Sequence, residues 1–219
     1  MFKKAQFSIL QGFWLLTFAY SCMLMVEITL RYRGFELDAN LLLIKQTEIE
    51  ELWWYRYVFY VHVCTAIFAL PAGFTQFSNY LLNKYPRVHR SIGYLYVYAI
   101  LVCAAPSGLL IGLVANGGIT SIIAFELLGL GWFYFTYQAV HFARQRKFNK
   151  HHDFMIRSFA LTCSALTLRF WKLALVYLFQ PNPMDVYQII AWLGWIPNLL
   201  LAEFIIYQKN QKLLREIFV

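Results

Sequence analysis

The sequence predicts an all-α integral membrane protein built as a bundle of six transmembrane helices, and two observations carry this prediction. Of its 219 residues, 60% are hydrophobic and only 14% are charged, whereas a soluble domain is about half apolar and about a quarter charged. Six segments also reach the roughly 20 apolar residues that a bilayer core of about 30 Å requires. We therefore expect a single transmembrane domain over residues 1–219.

The six predicted spans are separated by short connections and cover approximately residues 8–30, 56–81, 91–114, 120–142, 154–178 and 186–207. The first follows Lys3 and Lys4 and resembles a signal peptide, but no small-residue cleavage site ends its apolar run. We expect it to remain as a span. Pro71, Pro106 and Pro197 fall inside spans two, three and six, where we expect kinks.

Basic residues indicate the orientation of the bundle. Most of the 19 Lys and Arg lie in the N-terminus, in 83–90, in 143–157 and in the C-terminus, and none lies in 115–119 or 179–185. The positive-inside rule then places both termini in the cytoplasm of a bacterium and the chain in its inner membrane. The same rule accounts for the net charge of +8. We therefore expect membrane lipids, and not nucleic acid, as the partner of the basic residues.

The connection over residues 31–56 is too polar to span a membrane but carries apolar residues at helical spacing. We expect a short helix lying on the outer surface, with Asp38 or Asn40 as its N-cap. An aromatic belt at headgroup level is expected to follow it, formed by Trp53, Trp54, Tyr55 and Tyr57.

The usual signatures of soluble enzymes are missing from the sequence. No P-loop, dinucleotide fingerprint, nucleophile motif or H-E-x-x-H occurs, so the sequence does not decide whether the protein is an enzyme. The four cysteines lie inside apolar runs without C-x-x-C spacing, which argues against disulfides and thiolate metal sites; they are Cys22, Cys64, Cys103 and Cys163.

Three ionisable residues lie inside predicted spans at a common depth. At about 1.5 Å per residue, His62, Glu126 and Arg169 each lie roughly 6–10 Å below the outer surface. Ionisable groups in a membrane cost several kcal/mol unless they are paired. We predict an ion pair between Arg169 and Glu126, with His62 as a third member, serving either a working site or a structural clasp.

A second group of imidazole and guanidinium side chains lies near the cytoplasmic ends of spans three, four and five. Helix N-termini there add exposed amides and a favourable dipole, which predicts an anionic partner or cofactor. Solvated residues facing anionic lipids are the alternative. The candidate cofactor-binding residues are His89, Arg90, His141, His151, His152 and Arg157, with Glu203 at a similar depth.

Three stretches carry a family resemblance: HRSIGYLYVY at 89–98, APSGLL at 105–110 and HHDFMIRSFALTCSALTLRF at 151–170. They resemble a family of predicted bacterial membrane proteins of unknown function, over roughly residues 58–175. The resemblance implies a membrane bundle with a Pro-Ser-Gly turn in span three and no established chemistry. The matching residues are His62, His89, Arg90, Gly93, Tyr96, Pro106, Ser107, Gly108, His151 or His152, Met155, Arg157, Ser158, Leu168 and Arg169.

A looser similarity is to the two-haem b-type cytochromes, in which four consecutive spans each supply a histidine. Spans two to five supply His62, His89, His141 and His151. Bis-histidine ligation needs two imidazoles at one depth, and the outer level has one histidine only. The similarity therefore implies at most one haem, near the cytoplasmic side, and no other metal.

Three classes of function follow from these patterns. The first is a membrane redox component that binds a b-type haem or a quinone at the cytoplasmic His and Arg cluster. The second is a non-catalytic membrane subunit or assembly factor that contacts other membrane subunits. The third is a proton-coupled transporter that uses the intramembrane site of His62, Glu126 and Arg169.

Overall fold

A computed structural model of the chain describes residues 2–36 and 41–217, and its regular elements are helical throughout these residues. The chain divides into two compact units, residues 1–52 and residues 53–219. All of the candidate site residues lie in the second unit.

The first unit holds one long helix and a short helical segment. Helix α1 runs over Phe2–Leu30, a single 3₁₀ turn covers Leu42–Ile44, and α2 covers Gln46–Glu51. A short helix of somewhat more than one and a half turns is therefore present in the predicted connection, and Lys45, directly before it, pairs with Glu48; its position on the outer surface remains a prediction. The predicted N-caps Asp38 and Asn40 lie outside the described residues.

The second unit contains nine α-helices and one π-helical segment in its described part. In chain order these are α3 (Tyr55–Thr75), α4 (Asn79–Lys84), α5 (Pro86–Tyr98), the π segment (Ala99–Ala104), α6 (Ala105–Gly112), α7 (Gly118–Arg144), α8 (Phe148–Thr162), α9 (Ser164–Phe179), α10 (Pro183–Leu193) and α11 (Ile196–Ile217).

Five stretches of the second unit are long and apolar enough to cross a membrane. They coincide with predicted spans two to six and cover Tyr55–Thr75, Pro86–Gly112, Gly118–Arg144, Phe148–Phe179 and Pro183–Lys212. In α1, the apolar portion found among the described residues is Leu15–Leu30, which is shorter than a full span. A sixth crossing, made by α1, and the cytoplasmic placement of the termini remain predictions.

The second span ends earlier than predicted. Helix α3 stops at Thr75, and the predicted remainder up to residue 81 lies in a turn and in α4. Ser78 adopts an extended backbone, and its Oγ accepts a hydrogen bond from the backbone amide of Leu81 at 3.3 Å. This N-cap starts a new helix, which is why the apolar pattern does not continue as one span.

The third span changes its helical pitch at mid-length. The π segment leads into α6, whose first turn contains Pro106, a residue without an amide hydrogen. The predicted Pro-Ser-Gly turn is wrong, since Pro106, Ser107 and Gly108 are all helical. A π segment often marks a functional site because it rearranges backbone carbonyls, and here the oxygen of Ala104 accepts a side-chain bond from another helix.

The last two spans are each broken into two helices. Cys163 separates α8 from α9, and Gly194 with Trp195 separates α10 from α11. Asn198 joins the two breaks, since its Nδ2 donates to Thr167 Oγ1 at 3.0 Å and to the Ala160 oxygen at 3.2 Å. Pro197 lies in the first turn of α11. The kink predicted at this residue is therefore a complete break between two helices.

The predicted aromatic belt is only partly exposed. Trp53 and Tyr57 are 80% and 66% exposed, as residues at headgroup level should be. Tyr55 is fully buried, so its place in the belt is wrong. Sequence spacing alone could not distinguish the exposed rings from the buried one, because the direction of each ring depends on how α3 is rotated against its neighbours.

Candidate functional site at the basic end of the bundle

The basic end of the bundle is defined here as the end at which α3 and α7 finish and α5 and α8 begin. Helix α5 begins at Pro86 and α8 at Phe148, so His89 and His151 are each the fourth residue of their helices. At about 1.5 Å per residue, both lie about 4.5 Å inside the helix start. The sequence prediction of a common depth fits these helix bounds.

The two histidines also face the same gap between α5 and α8. Tyr96 lies seven residues after His89, and Ser158 lies seven residues after His151. Residues seven apart share one face of a helix, and the Tyr96 and Ser158 hydroxyls hydrogen-bond at 2.7 Å. The imidazoles are also close enough for the charge of His151 to act on His89.

Hydrogen bonding fixes the ring of His151. Its Nδ1 lies 2.8 Å from the backbone oxygen of Ala139 on α7, and a carbonyl can only accept, so Nδ1 carries the proton. In the neutral ring, Nε2 then holds the lone pair. That arrangement is the one usual for a histidine that binds a metal.

His89 is held less completely. Its Nδ1 is buried and has no hydrogen-bond partner among the described residues. The side chain of Gln76, at the end of α3, reaches across to α5 and donates from Nε2 to the backbone oxygen of His89 at 3.4 Å. Gly93 admits this side chain, since a Cβ there would lie 2.9 Å from Gln76 Oε1.

The other two histidines of the predicted cluster point elsewhere. His141 lies at a similar depth, near the end of α7, but is exposed and bonds to Gln145 Nε2 at 2.7 Å. His152 is exposed and meets the ring of Phe77 edge-on, with centroids 5.9 Å apart. Of the four, His89 and His151 are the two whose spacing to Tyr96 and Ser158 places them on the helix faces that meet across the gap.

The two predicted arginines differ in their surroundings. Arg90 is exposed beside His89, and its Nε donates to the Pro86 oxygen at 3.4 Å. Arg157 forms a two-point ion pair with Glu203 of α11, with N···O distances of 2.5 and 2.8 Å. Arg157 therefore ties α8 to α11, as does the nearby pair of Lys209 with Asp153.

A buried hydroxyl network closes the gap above the two histidines. Thr162 Oγ1 accepts from Trp132 Nε1 at 3.0 Å and lies 2.9 Å from the Tyr96 hydroxyl, while Thr136 Oγ1 lies 2.7 Å from Ser158 Oγ. These residues come from α5, α7 and α8 and are at most 9% exposed. The network joins the three helices that carry the candidate site.

The far end of the bundle holds the second predicted site. Nδ1 of His62 lies 2.8 Å from the Ala104 oxygen and 3.3 Å from Ser107 Oγ. Arg169 is close enough for its charge to act on His62, and its Nη1 donates to the Ala165 oxygen. The predicted pair of Arg169 with Glu126 is not among the ion pairs that described residues form.

Several residues of the basic end were not predicted as members of the site. Tyr96 and Ser158 were named only as part of the family pattern, and Gln76, Thr136 and Thr162 belong to none of the predicted sites. One sequence signal could have predicted the buried contact of Tyr96 with Ser158. It is the repeated spacing of seven residues, from His89 to Tyr96 and from His151 to Ser158.

The fold and the site define a multi-pass α-helical membrane protein with polar side chains between its helices. The chain belongs to the family described as predicted membrane protein (DUF2306), whose model matches residues 59–206. No curated protein and no solved structure shows a significant match to the chain.

Proposed function

We propose that the protein is a membrane redox component that binds one b-type haem between His89 and His151. The observation that carries the proposal is the pair of imidazoles at one depth on facing sides of α5 and α8. His141 and His152 lie within the same few residues of the helix ends but turn away from this gap.

The residues present fit such a group in three respects. The bond from His151 Nδ1 to Ala139 directs the lone pair of Nε2 away from α7, and the buried Nδ1 of His89 lacks a partner among the described residues. Arg90, exposed beside His89, supplies a cation for a propionate. When bound, haem iron supplies one-electron chemistry, and the choice of axial ligands sets its potential.

The chain's own residues would hold and shield the group. Ala139 orients the ring of His151, and Gln76 anchors the backbone of His89. Tyr96 and Ser158 close the gap toward the membrane interior, where the buried hydroxyl network limits access of water. A low-dielectric wall of this kind is one of the means by which a protein adjusts a haem potential.

The experiment is an absorption spectrum of the purified full-length protein from haem-supplemented cells, before and after reduction with dithionite. The expected result is a Soret band that shifts on reduction, with haem and protein in equal molar amounts. His89→Ala and His151→Ala should each lose most of this band, because each removes one of the two axial ligands.

The chain provides its own matched controls. His141→Ala and His152→Ala remove imidazoles at the same depth that face away from the gap, and both variants should retain the band. A colourless, folded wild-type protein would overturn the proposal. So would a band that survives both His89→Ala and His151→Ala, or one lost equally in the two control variants.

A further inference from the structure

Two side chains from different helices lie on one glycine face of α6 at the far end of the bundle. A Cβ at Gly108 would lie 3.0 Å from His62 Cε1, and a Cβ at Gly112 would lie 2.5 Å from Glu126 Oε1. Residues four apart are neighbours on one helix face, about 5–6 Å apart at Cβ. His62 of α3 and Glu126 of α7 therefore lie against one face of α6, about one turn apart.

The neutral ring of His62 has one nitrogen that can accept a proton. Its Nδ1 faces the Ala104 oxygen at 2.8 Å and Ser107 Oγ at 3.3 Å. Ser107 Oγ lies 2.6 Å from the Cys103 oxygen and donates to it, so the proton of the neutral ring stays on Nδ1. The lone pair is then on Nε2, to which no described residue donates a hydrogen bond.

Glu126 offers a second acceptor or an acid. Its Oε1 is buried and has no hydrogen-bond partner among the described residues. A carboxylate oxygen buried without a donor is costly, because burial removes its water and nothing in the protein replaces it. A proton on the carboxyl group lowers that cost, because it removes the charge.

We propose that His62 and Glu126 form a proton-binding site in the far half of the bundle. One proton moves between them through one bridging water molecule. The O–H bond of the Glu126 carboxylic acid breaks and an N–H bond forms at His62 Nε2, which leaves a carboxylate and an imidazolium. The reverse transfer restores the neutral pair.

The surroundings of this pair contain few other charged or titratable groups. Arg169 of α9 and Cys103 of the π segment lie at the same level, and Arg169 is close enough for its charge to act on His62. Tyr96 lies about three turns before Gly108, on the other side of the π segment. From the helices packed on α7 and α9, Lys172 lies over the ring of Tyr187, 5.5 Å from its centroid, and Asp185 lies in the first turn of α10.

The test is labelling by dicyclohexylcarbodiimide, an apolar reagent that adds a protonated carboxyl group across one of its C=N bonds. The full-length protein in liposomes would be treated at a series of pH values from about 5 to 9, and the peptide containing residue 126 quantified by mass spectrometry. We expect labelling that falls as pH rises and is absent in Glu126→Gln. Glu203, which is paired with Arg157, is the internal control and should stay unlabelled.

Whether the labelling of Glu126 depends on His62 distinguishes a proton-sharing pair from a single acidic side chain. In His62→Ala the proton has no acceptor, so labelling of Glu126 should persist to higher pH. If that variant fails to fold, Gly108→Ala tests the same point, because its Cβ displaces the imidazole ring. Absence of labelling at every pH in folded wild type would overturn the proposal. A pH profile unchanged in both variants would overturn it too. None of these readouts depends on haem.

Discussion

Tyr96 and Ser158 hydrogen-bond at 2.7 Å across the bundle, and each lies two helical turns beyond a histidine of the candidate site. This bond fixes the rotation of α5 against α8. Any change that rotates either helix would separate the hydroxyls and turn His89 or His151 out of the gap. The bond therefore positions two imidazoles that lie about 10 Å away along the helices.

Replacing Tyr96 by Phe should destabilise the protein by about 1 kcal/mol, the scale of a hydrogen bond between membrane helices. The variant keeps the ring but removes a hydroxyl that contacts both Ser158 and Thr162. Thermal unfolding in detergent measures the effect. Tyr94→Phe and Tyr98→Phe, at positions 70% and 62% exposed, are the controls and should leave the melting temperature unchanged. Equal melting temperatures for all three variants would contradict the role of the network.

Gly73→Ala should destabilise the protein by about 1–3 kcal/mol, as overpacked cores do. Its Cβ would lie 2.6 Å from both Phe159 Cδ2 and Tyr96 Cε2, and Tyr96 is fully buried, so neither ring can move freely. Gly131→Ala is the matched control, because its nearest contact would be 3.4 Å from Leu161 Cδ1. We expect that control to be neutral or slightly stabilising through helix propensity. A Gly73→Ala variant that melts with wild type would refute this packing argument.

The ion pair of Arg157 with Glu203 should show a coupling energy of about 1 kcal/mol in a double-mutant cycle of Arg157→Gln and Glu203→Gln. The value is small because the Glu203 side chain is 47% exposed, and water screens such a pair. Urea unfolding in mixed micelles measures all four proteins. A coupling near zero would show that this ion pair does not help to hold α11 against α8.

The orientation of the bundle can be tested with single cysteines in a background that lacks Cys22, Cys64, Cys103 and Cys163. Asn116→Cys, between α6 and α7, should react with a membrane-impermeant maleimide in intact spheroplasts. Gln145→Cys, between α7 and α8, should react only after permeabilisation, because its loop is rich in basic residues. The opposite pattern would invert the topology and place His89 and His151 on the outer side.

The sequence predicted the depth of the histidines better than their direction. Hydropathy bounds and an even rise per residue placed His89, His141 and His151 near the basic end, and the helix bounds agree. The rotation of α7, which turns His141 outward onto Gln145, depends on packing against α8 over the whole helix. No local sequence pattern predicts that packing.

The break in span five was also beyond the sequence patterns. Continuous apolar character from residue 154 to 178 predicted one span, but the chain bends at Cys163. Asn198 compensates the bend by bonding to Thr167 and to the Ala160 oxygen. Such a break is stable only when a side chain of another helix satisfies its polar groups, and hydropathy within one segment cannot show that partner.

The π segment sets how the side-chain faces at one end of span three are rotated relative to those at the other end. It lies between the face that carries His89, Gly93 and Tyr96 and the face that carries Gly108 and Gly112. One residue corresponds to about 100° of helix rotation. Deleting a single residue within Ala99–Ala104 would therefore turn Gly108 and Gly112 away from His62 and Glu126 and leave the basic half of the helix in register. The length of this segment, more than its composition, couples the histidine gap to the glycine face, and insertions or deletions should be tolerated there less than substitutions.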